Sequence, residues 1–430
     1  MLLQLGEVPH IVVSSPTVAK EVMKTHDVVF ADRPGNLISK TLLSIDYQGV
    51  IISPYGEYWR QLKKIYVVEL LSAKRVQSSW SLREEEVRNL VEEIYRMAAS
   101  PVNLTKKFSS LSYDIISRTA FGKKCKEKEM FISLMKKVME LAGGFEIGDL
   151  FPSLKFLRGI SGTSLELQKI TQKIDTIFND IVNEHRENRI RVKAKLGEIE
   201  EDLIDVLLRL EEENDFEFAI DNNNIKAVIF DIAIAGTDTS STTIEWAMSE
   251  IMRNPEVMEK AQDEVRRVLN GRERVNQSDI SELQYLKSVV KETLRLHPPA
   301  PLLLPRESRE RCQIDRYEVP PGTRVIVNAW AMGRDPEYWS DAESFNPERF
   351  LDVSIDYKGT NFEYIPGRRI CPGIMSAITN MELALAQLLF HFNWKLPNGI
   401  NPEDLDMTEN FGITVGRKSN LYLIPTPYSL

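Results

Sequence analysis

Cysteine is scarce in this 430-residue chain, which holds only Cys125, Cys312 and Cys371. An odd, widely spaced set makes no disulfide framework and favours a reducing environment. Histidine is equally thin. His10, His26, His185, His297 and His391 include no i, i+4 pair, so a histidine metal cluster has little support. No long apolar run opens the chain either. Met1-Leu2-Leu3-Gln4-Leu5-Gly6-Glu7 has no cationic lead and leads straight into strand-like sequence, so no signal peptide or membrane span is expected. Excess positive charge is missing as well: a formal net charge of -9 argues against nucleic-acid binding through the general surface. The basic stretch from Arg189 to Lys195 reads as a solvated helix face. Internal repeats and low-complexity tracts are absent.

With 43% hydrophobic and 27% charged residues, the chain is an ordinary globular protein, long enough for one large fold. Short β-branched runs, Ile11-Val12-Val13 and Val50-Ile51-Ile52, flank a helix expected from Pro16 to His26 with Ser15 as its N-cap. Helical spacing dominates from Tyr58 to about Leu210. Segment 195–225 is polar and acidic, reading as an exposed connector with a hairpin-like Phe216-Glu217-Phe218. Further helices are expected from Asn223 to Met252, Pro255 to Leu269, Tyr285 to Leu296 and Ile374 to Phe390. Strands return between Ile314 and Val327. Helix outweighs strand, so the fold class is mainly α with minor β.

Three constellations carry chemistry. Ala235-Gly236-Thr237-Asp238-Thr239-Ser240 lies inside the long apolar helix. A helix-interior glycine costs about 1 kcal/mol relative to alanine, so it marks a packing or ligand need. Thr239 can bond back to the Ala235 carbonyl, leaving a hydroxyl and the Asp238 carboxylate in a greasy segment; the bland reading is a Ser/Thr-rich bend. Glu292 and Arg295 share a helix face at i, i+3, and Arg349 of Pro347-Glu348-Arg349-Phe350 offers a second arginine to the same carboxylate. Alone, such a pair is usually a surface pair; buried, the three would be a structural clamp. The third is Gly367-Arg368-Arg369-Ile370-Cys371-Pro372-Gly373. A helix starting just after Cys371 would bring free N–H groups and positive dipole to its sulfur, favouring thiolate over an inert buried thiol.

Together these motifs resemble the cytochrome P-450 superfamily over essentially the whole chain. The plant A-type microsomal monooxygenases acting on terpenoids, alkaloids and phenylpropanoids look closest. Phe30-Ala31-Asp32-Arg33-Pro34 and Pro54-Tyr55-Gly56-Glu57-Tyr58-Trp59-Arg60 also fit the plant pattern. The resemblance implies a single catalytic domain over residues 1–430, with haem b between the long oxygen-binding helix and the cysteine-loop helix. Cys371 would be the axial thiolate, Thr239 and Asp238 would relay protons towards dioxygen, and Gly236 would leave room for it. Trp59, Arg60, Arg306 and Arg369 would hold the haem propionates, with Lys63 standing where the family often has arginine. Matching recognition segments put substrate at Ile229, Ile232, Ala233, Ala300, Leu302, Leu303 and Ile413. Glu292, Arg295 and Arg349 would be structural. NADPH–cytochrome P-450 reductase, dioxygen and a small lipophilic substrate are the implied partners of a monomer at the cytosolic face of the endoplasmic reticulum membrane.

Two departures stand out. The family's N-terminal anchor and proline-rich hinge are not in the chain. In the cysteine signature Tyr364 takes the usual Phe position, and Pro366 runs straight into Gly367 with Phe-Gly-x missing. That segment shields the sulfur, so its shortening should strain or expose the ligand. The leading reading is a reductase-dependent haem monooxygenase. A haem-impaired, non-catalytic protein of the same fold is its first rival; a haem-thiolate isomerase or dehydratase is the second, opposed by the presence of both Asp238 and Thr239.

Overall fold

A computed structural model describes residues 1–43, 47–124, 127–143, 146–154, 162–194, 201–213, 219–270, 272, 274–351 and 367–428. The N-terminal part holds strands β1 (Leu2–Leu5) and β2 (Val8–Val13), helices α1 (Pro16–Lys20) and α2 (Leu37–Leu43), then α3 (Glu57–Lys64), which continues into π-helical turns over Ile65–Leu70. α4 (Ala73–Ser78), α5 (Trp80–Tyr95), β3 (Val102–Asn103), α6 (Leu104–Phe121), α7 (Lys128–Gly143), α8 (Ile147–Leu150), α9 (Thr163–Ala194) and α10 (Leu203–Glu213) follow. The long α11 (Asn222–Arg253) leads to α12 (Pro255–Leu269), α13 (Gln277–Glu282) and α14 (Gln284–Leu296). After β4 (Arg306–Glu307), β5 (Cys312–Ile314), β6 (Tyr317–Val319), β7 (Arg324–Val327) and α15 (Ala329–Met332) come α16 (Ile374–His391), β8 (Phe392–Lys395) and β9 (Tyr422–Pro427). The largest sheet runs β1-β2-β7-β4, with β2 and β7 parallel (His10 opposite Arg324) and the other pairs antiparallel.

α11 organises the rest. A capping box fixes its start: the Asn224 backbone N–H donates to the Asp221 carboxylate at 2.8 Å, and the Asp221 N–H donates to the Asn224 side chain at 3.0 Å. Pro255, which begins α12, forbids its continuation. Its first half, from Ile225 to Ile234, is part of a core shared with α3, α6, α7, α9 and α10. Its second half, from Ile244 to Met252, joins a different core built with α5, α12, α14 and α16. Residues 235–243 belong to neither core, so the Ala235–Ser240 hexapeptide sits at the seam between two packed halves.

The observed α11, α12, α14 and α16 match the expected helices to within a residue or so. Three differences have physical reasons. α10 is a helix inside the stretch read as a connector, because Leu203 to Leu208 and Leu210 are buried and only its acidic end, Glu212 and Glu213, is exposed. Val50-Ile51-Ile52 form turns instead of a strand, since their peptide groups are bonded by side chains rather than by a neighbouring strand. Ser15 stands at the start of α1 but makes no side-chain cap bond. Phe216-Glu217-Phe218 lies outside the described residues.

Candidate functional site: a cysteine at a helix start beside a cation cluster

Cys371 lies just before α16, where the backbone N–H groups of Gly373 and Ile374 donate towards its sulfur. Burial pushes its thiol up; those two N–H groups and the nearby Lys63 charge pull it down. The residue is exposed, while protein surrounds its thiol densely. Tyr364 and Pro366, where the loop departs from the family signature, lie outside the described residues.

α11 packs on α16. Both helices open over the stretch that matters: Ala235 is exposed and Gly236, Asp238 and Thr239 are half-buried, between burial ending at Ile234 and resuming at Ser240, with Thr237 buried within the stretch. On α16, Met375 is exposed and residues 376–379 are half-buried before burial resumes at Asn380. The Thr239 hydroxyl donates to the Ala235 carbonyl at 2.6 Å, the expected back-bond. Asp238 carries a carboxyl raised by burial, opposed by the charge of Lys136 on α7. A Cβ at Gly236 would come 2.6 Å from Ile116 Cδ1, so glycine lets α6 pack closely on α11 here.

Beside Cys371 lies a group of cations. Arg369 donates to the carbonyls of Ala31 at 2.8 Å, Val50 at 2.8 Å and Ser53 at 2.5 Å, and its guanidinium lies 4.6 Å from the Trp59 ring centroid. Arg306 is buried and donates to the Phe30 carbonyl at 3.0 Å. Lys63 donates to the Ile370 carbonyl at 2.5 Å, and burial lowers its ammonium to about 8. Arg33 donates to the carbonyls of Leu304 at 2.8 Å and Pro305 at 2.9 Å. Burial and repulsion from Arg306 and Arg369 hold the Arg33 guanidinium well below its usual range. Among the described residues, none of the four makes a salt bridge with a carboxylate. Such a cluster calls for an anionic partner.

The expected site residues therefore divide. Trp59, Lys63, Arg306 and Arg369 gather near Cys371; Trp59 is buried and donates to the Val50 carbonyl at 3.0 Å. Arg60 does not join them: it points outward and pairs with Glu57, both side chains at least half exposed. Arg33 belongs to the cluster and was not singled out, although the Phe-Ala-Asp-Arg-Pro motif contains it.

The clamp is as expected. Glu292 accepts from Arg295 Nε at 2.6 Å and its terminal nitrogen at 2.7 Å, and from Arg349 Nε at 3.0 Å, with Glu292 fully buried. The substrate candidates do not converge. Ile229 and Ala233 are buried in core, Ile232 lines a cavity of about 60 Å³ with Leu70, Leu71, Ile115 and Ile116, and Leu303 packs under the large sheet. Ala300 and Ile413 are half-buried, and Leu302 is exposed. His185, Asp202 and Asp205 form a separate polar group, in which the ring nitrogens of His185 bond the Ile181 carbonyl and Asp202, each at 2.8 Å.

A flat hydrophobic macrocycle with two carboxylates fits what these residues offer: open stretches on α11 and α16, a thiol at a helix start, and cations with no anion. Held by a thiolate, haem supplies dioxygen activation, the thiolate's electron density favouring O–O cleavage.

Comparison with known proteins agrees. Residues 1–424 match the family model for cytochrome P-450. Desmethyl-deoxy-podophyllotoxin synthase of Sinopodophyllum hexandrum is 55% identical over 99% of this chain and 84% of its own length. Premnaspirodiene oxygenase of Hyoscyamus muticus and tabersonine 16-hydroxylase 2 of Catharanthus roseus are each 52% identical over 100% of this chain, and over 86% and 85% of their own lengths. A solved zebra fish cytochrome P-450 with abiraterone superposes with a TM-score of 0.83 at 23% identity, covering 100% of this chain and 96% of that one, which shows the fold. The chain belongs to the cytochrome P-450 family and is a haem-thiolate monooxygenase.

Proposed function

We propose that residues 1–430 act as one monomeric domain that hydroxylates a small lipophilic molecule, a terpenoid or similar specialised metabolite. The reaction consumes one dioxygen, one NADPH and one proton per hydroxyl inserted and releases water and NADP⁺. NADPH–cytochrome P-450 reductase delivers the electrons. Cys371 is the iron ligand; the observation that carries this is its place before α16 under the N–H groups of Gly373 and Ile374. Arg306, Arg369, Lys63 and Trp59, joined by Arg33, hold the propionates. The Thr239 hydroxyl, steadied on the Ala235 carbonyl, passes protons, and Asp238 supplies them from the α7 side. Ile232, Ala300, Leu302, Leu303 and Ile413 are the substrate candidates with open surface. The relatives named as an oxygenase and a hydroxylase carry the same reaction type.

No helix among the described residues is long and apolar enough to cross a membrane. An exposed apolar patch offers contact with the endoplasmic reticulum surface. Met1 and Leu2 are 74% and 69% exposed, and Ile147, Phe151 and Leu154 are exposed around α8. The two stretches are tied together, since the Glu7 N–H donates to the Leu150 carbonyl at 2.8 Å and the Ser153 N–H donates to the Glu7 carboxylate at 2.9 Å.

The decisive experiment is a reduced, carbon-monoxide difference spectrum, followed by product analysis with reductase and a terpenoid panel. A red-shifted Soret band with hydroxylated product supports the reading. A blue-shifted band or no bound haem overturns it in favour of the haem-impaired rival, and turnover without reductase would revive the isomerase.

A further inference from the structure

Asp231 lies on α11 one turn before Ala235 and is 5% exposed. Its carboxylate accepts from the Ile51 N–H at 3.2 Å and from the Tyr66 hydroxyl at 3.0 Å, and the Val50 N–H also points to it. Gly49 permits this approach, because a Cβ there would come 2.3 Å from Asp231 Oδ2. The other side of the same loop is bonded by cations. Arg369 and Trp59 donate to the Val50 carbonyl at 2.8 Å and 3.0 Å, Arg369 also reaches the Ser53 carbonyl, and Arg33 Nε donates to the Ile51 carbonyl at 3.2 Å.

One peptide group therefore joins two motifs. Its carbonyl, on Val50, bonds the guanidinium beside Cys371; its N–H, on Ile51, bonds a carboxylate on the oxygen-side helix. A peptide held between a cation and an anion is polarised from both ends, and each bond strengthens the other. We propose that Asp231 is a positioning residue: through the Val50–Ile51 peptide it fixes the loop 49–53 and, through the loop, the direction of the Arg369 guanidinium. The registration of the loop follows from geometry alone. Only its consequence for haem rests on the propionate role given to Arg369 above.

The charged and titratable groups facing Asp231 are Tyr66 from the π-helical turns, Tyr58 from α3 and Arg369 from the cysteine loop. Burial raises the Asp231 carboxyl to about 7, and the Tyr66 hydroxyl, the two N–H groups and Arg369 oppose the rise. The link is thus strongest above neutral pH and weakens as the carboxyl takes up its proton.

Amide hydrogen exchange of the 49–53 segment tests this on the full chain without requiring haem. In wild type, protection corrected for intrinsic rate should fall as pH drops through about 7. Asp231→Asn should lose about tenfold in protection and show no step. Tyr66→Phe removes a donor that holds the carboxyl down, so its step should move to higher pH; this variant keeps the idea testable if Asp231→Asn does not fold. Protection of α14 should not change in either. Transfer of haem to apomyoglobin, where haem binds, should be about tenfold faster in Asp231→Asn. Unchanged exchange in Asp231→Asn, a pH step that survives in it, or an unmoved step in Tyr66→Phe would each overturn the proposal. A failed carbon-monoxide spectrum with the exchange pattern intact would instead sink the haem reading alone.

Discussion

Arg295 and Arg349 share a fully buried carboxylate, whereas Arg33, Arg306, Arg369 and Lys63, gathered near Cys371, bond backbone carbonyls and, among the described residues, pair with no acid. In the first cluster charge is balanced within the fold, so the unit is complete once the chain has folded. In the second the carbonyls orient the donors without cancelling their charge, and the balance is left to an anion from outside. Completeness marks a structural device; a buried imbalance next to a thiol marks a binding site.

The sharpest way to break this comparison is to remove the shared acid. Glu292→Gln leaves two buried guanidinium groups facing a neutral amide and should cost about 3–5 kcal/mol, with loss of soluble protein or a large fall in the denaturation midpoint. Midpoints within experimental error of wild type would mean that the clamp is ornamental. The same operation on the other cluster should act differently. Arg306→Met deletes an uncompensated buried charge, so stability without haem should change by no more than about 1 kcal/mol. Haem release should nonetheless speed up by about tenfold or more, as expected when one partner of a buried ion pair is lost. Equal losses of stability and haem would erase the distinction between the two clusters.

Lys63 sharpens it further through pH. Its ammonium titrates near 8 in the folded chain and near 10.5 when unfolded. Between those values the unfolded state binds more protons, so stability rises with pH across that window. Denaturation midpoints without haem should therefore climb from pH 8 towards 10, and Lys63→Met should flatten part of that climb. Propionates favour the charged ammonium and raise its titration, so added haem should flatten it in wild type as well. A slope indifferent to both changes would remove Lys63 from the cluster.

Much of this was legible in the sequence, and unevenly so. The clamp was readable because Glu292 and Arg295 sit at i, i+3 on a strongly periodic helix, with Arg349 in its own short motif. Cys371 was readable because a helix start follows it directly. Arg33 and Asp231 were not singled out. Asp231 sits among apolar residues, and apart from the Tyr66 hydroxyl the partners of the two are backbone groups of the 49–53 loop or of residues 304 and 305, which carry no side-chain signature. The same bonds explain why Val50-Ile51-Ile52 is not a strand: β-branched composition argues for one, but its donors and acceptors were already taken. At Gly236, only tertiary packing shows the close approach of Ile116 from α6.

Arg60 supplies the smallest and most discriminating prediction. It adjoins Trp59 in sequence, and by motif it belongs with the propionate cations. One residue along a helix, however, turns a side chain by about 100°, so Arg60 faces water and pairs with Glu57 while Trp59 is buried. Exposed pairs of this kind contribute at most about 1 kcal/mol, often nothing measurable. Arg60→Ala should therefore leave the denaturation midpoint and the haem-release rate within error of wild type, where Arg306→Met changes the second alone. Haem loss from Arg60→Ala comparable to that from Arg306→Met would show that Arg60 swings inward when haem binds, and the cluster would then count five cations.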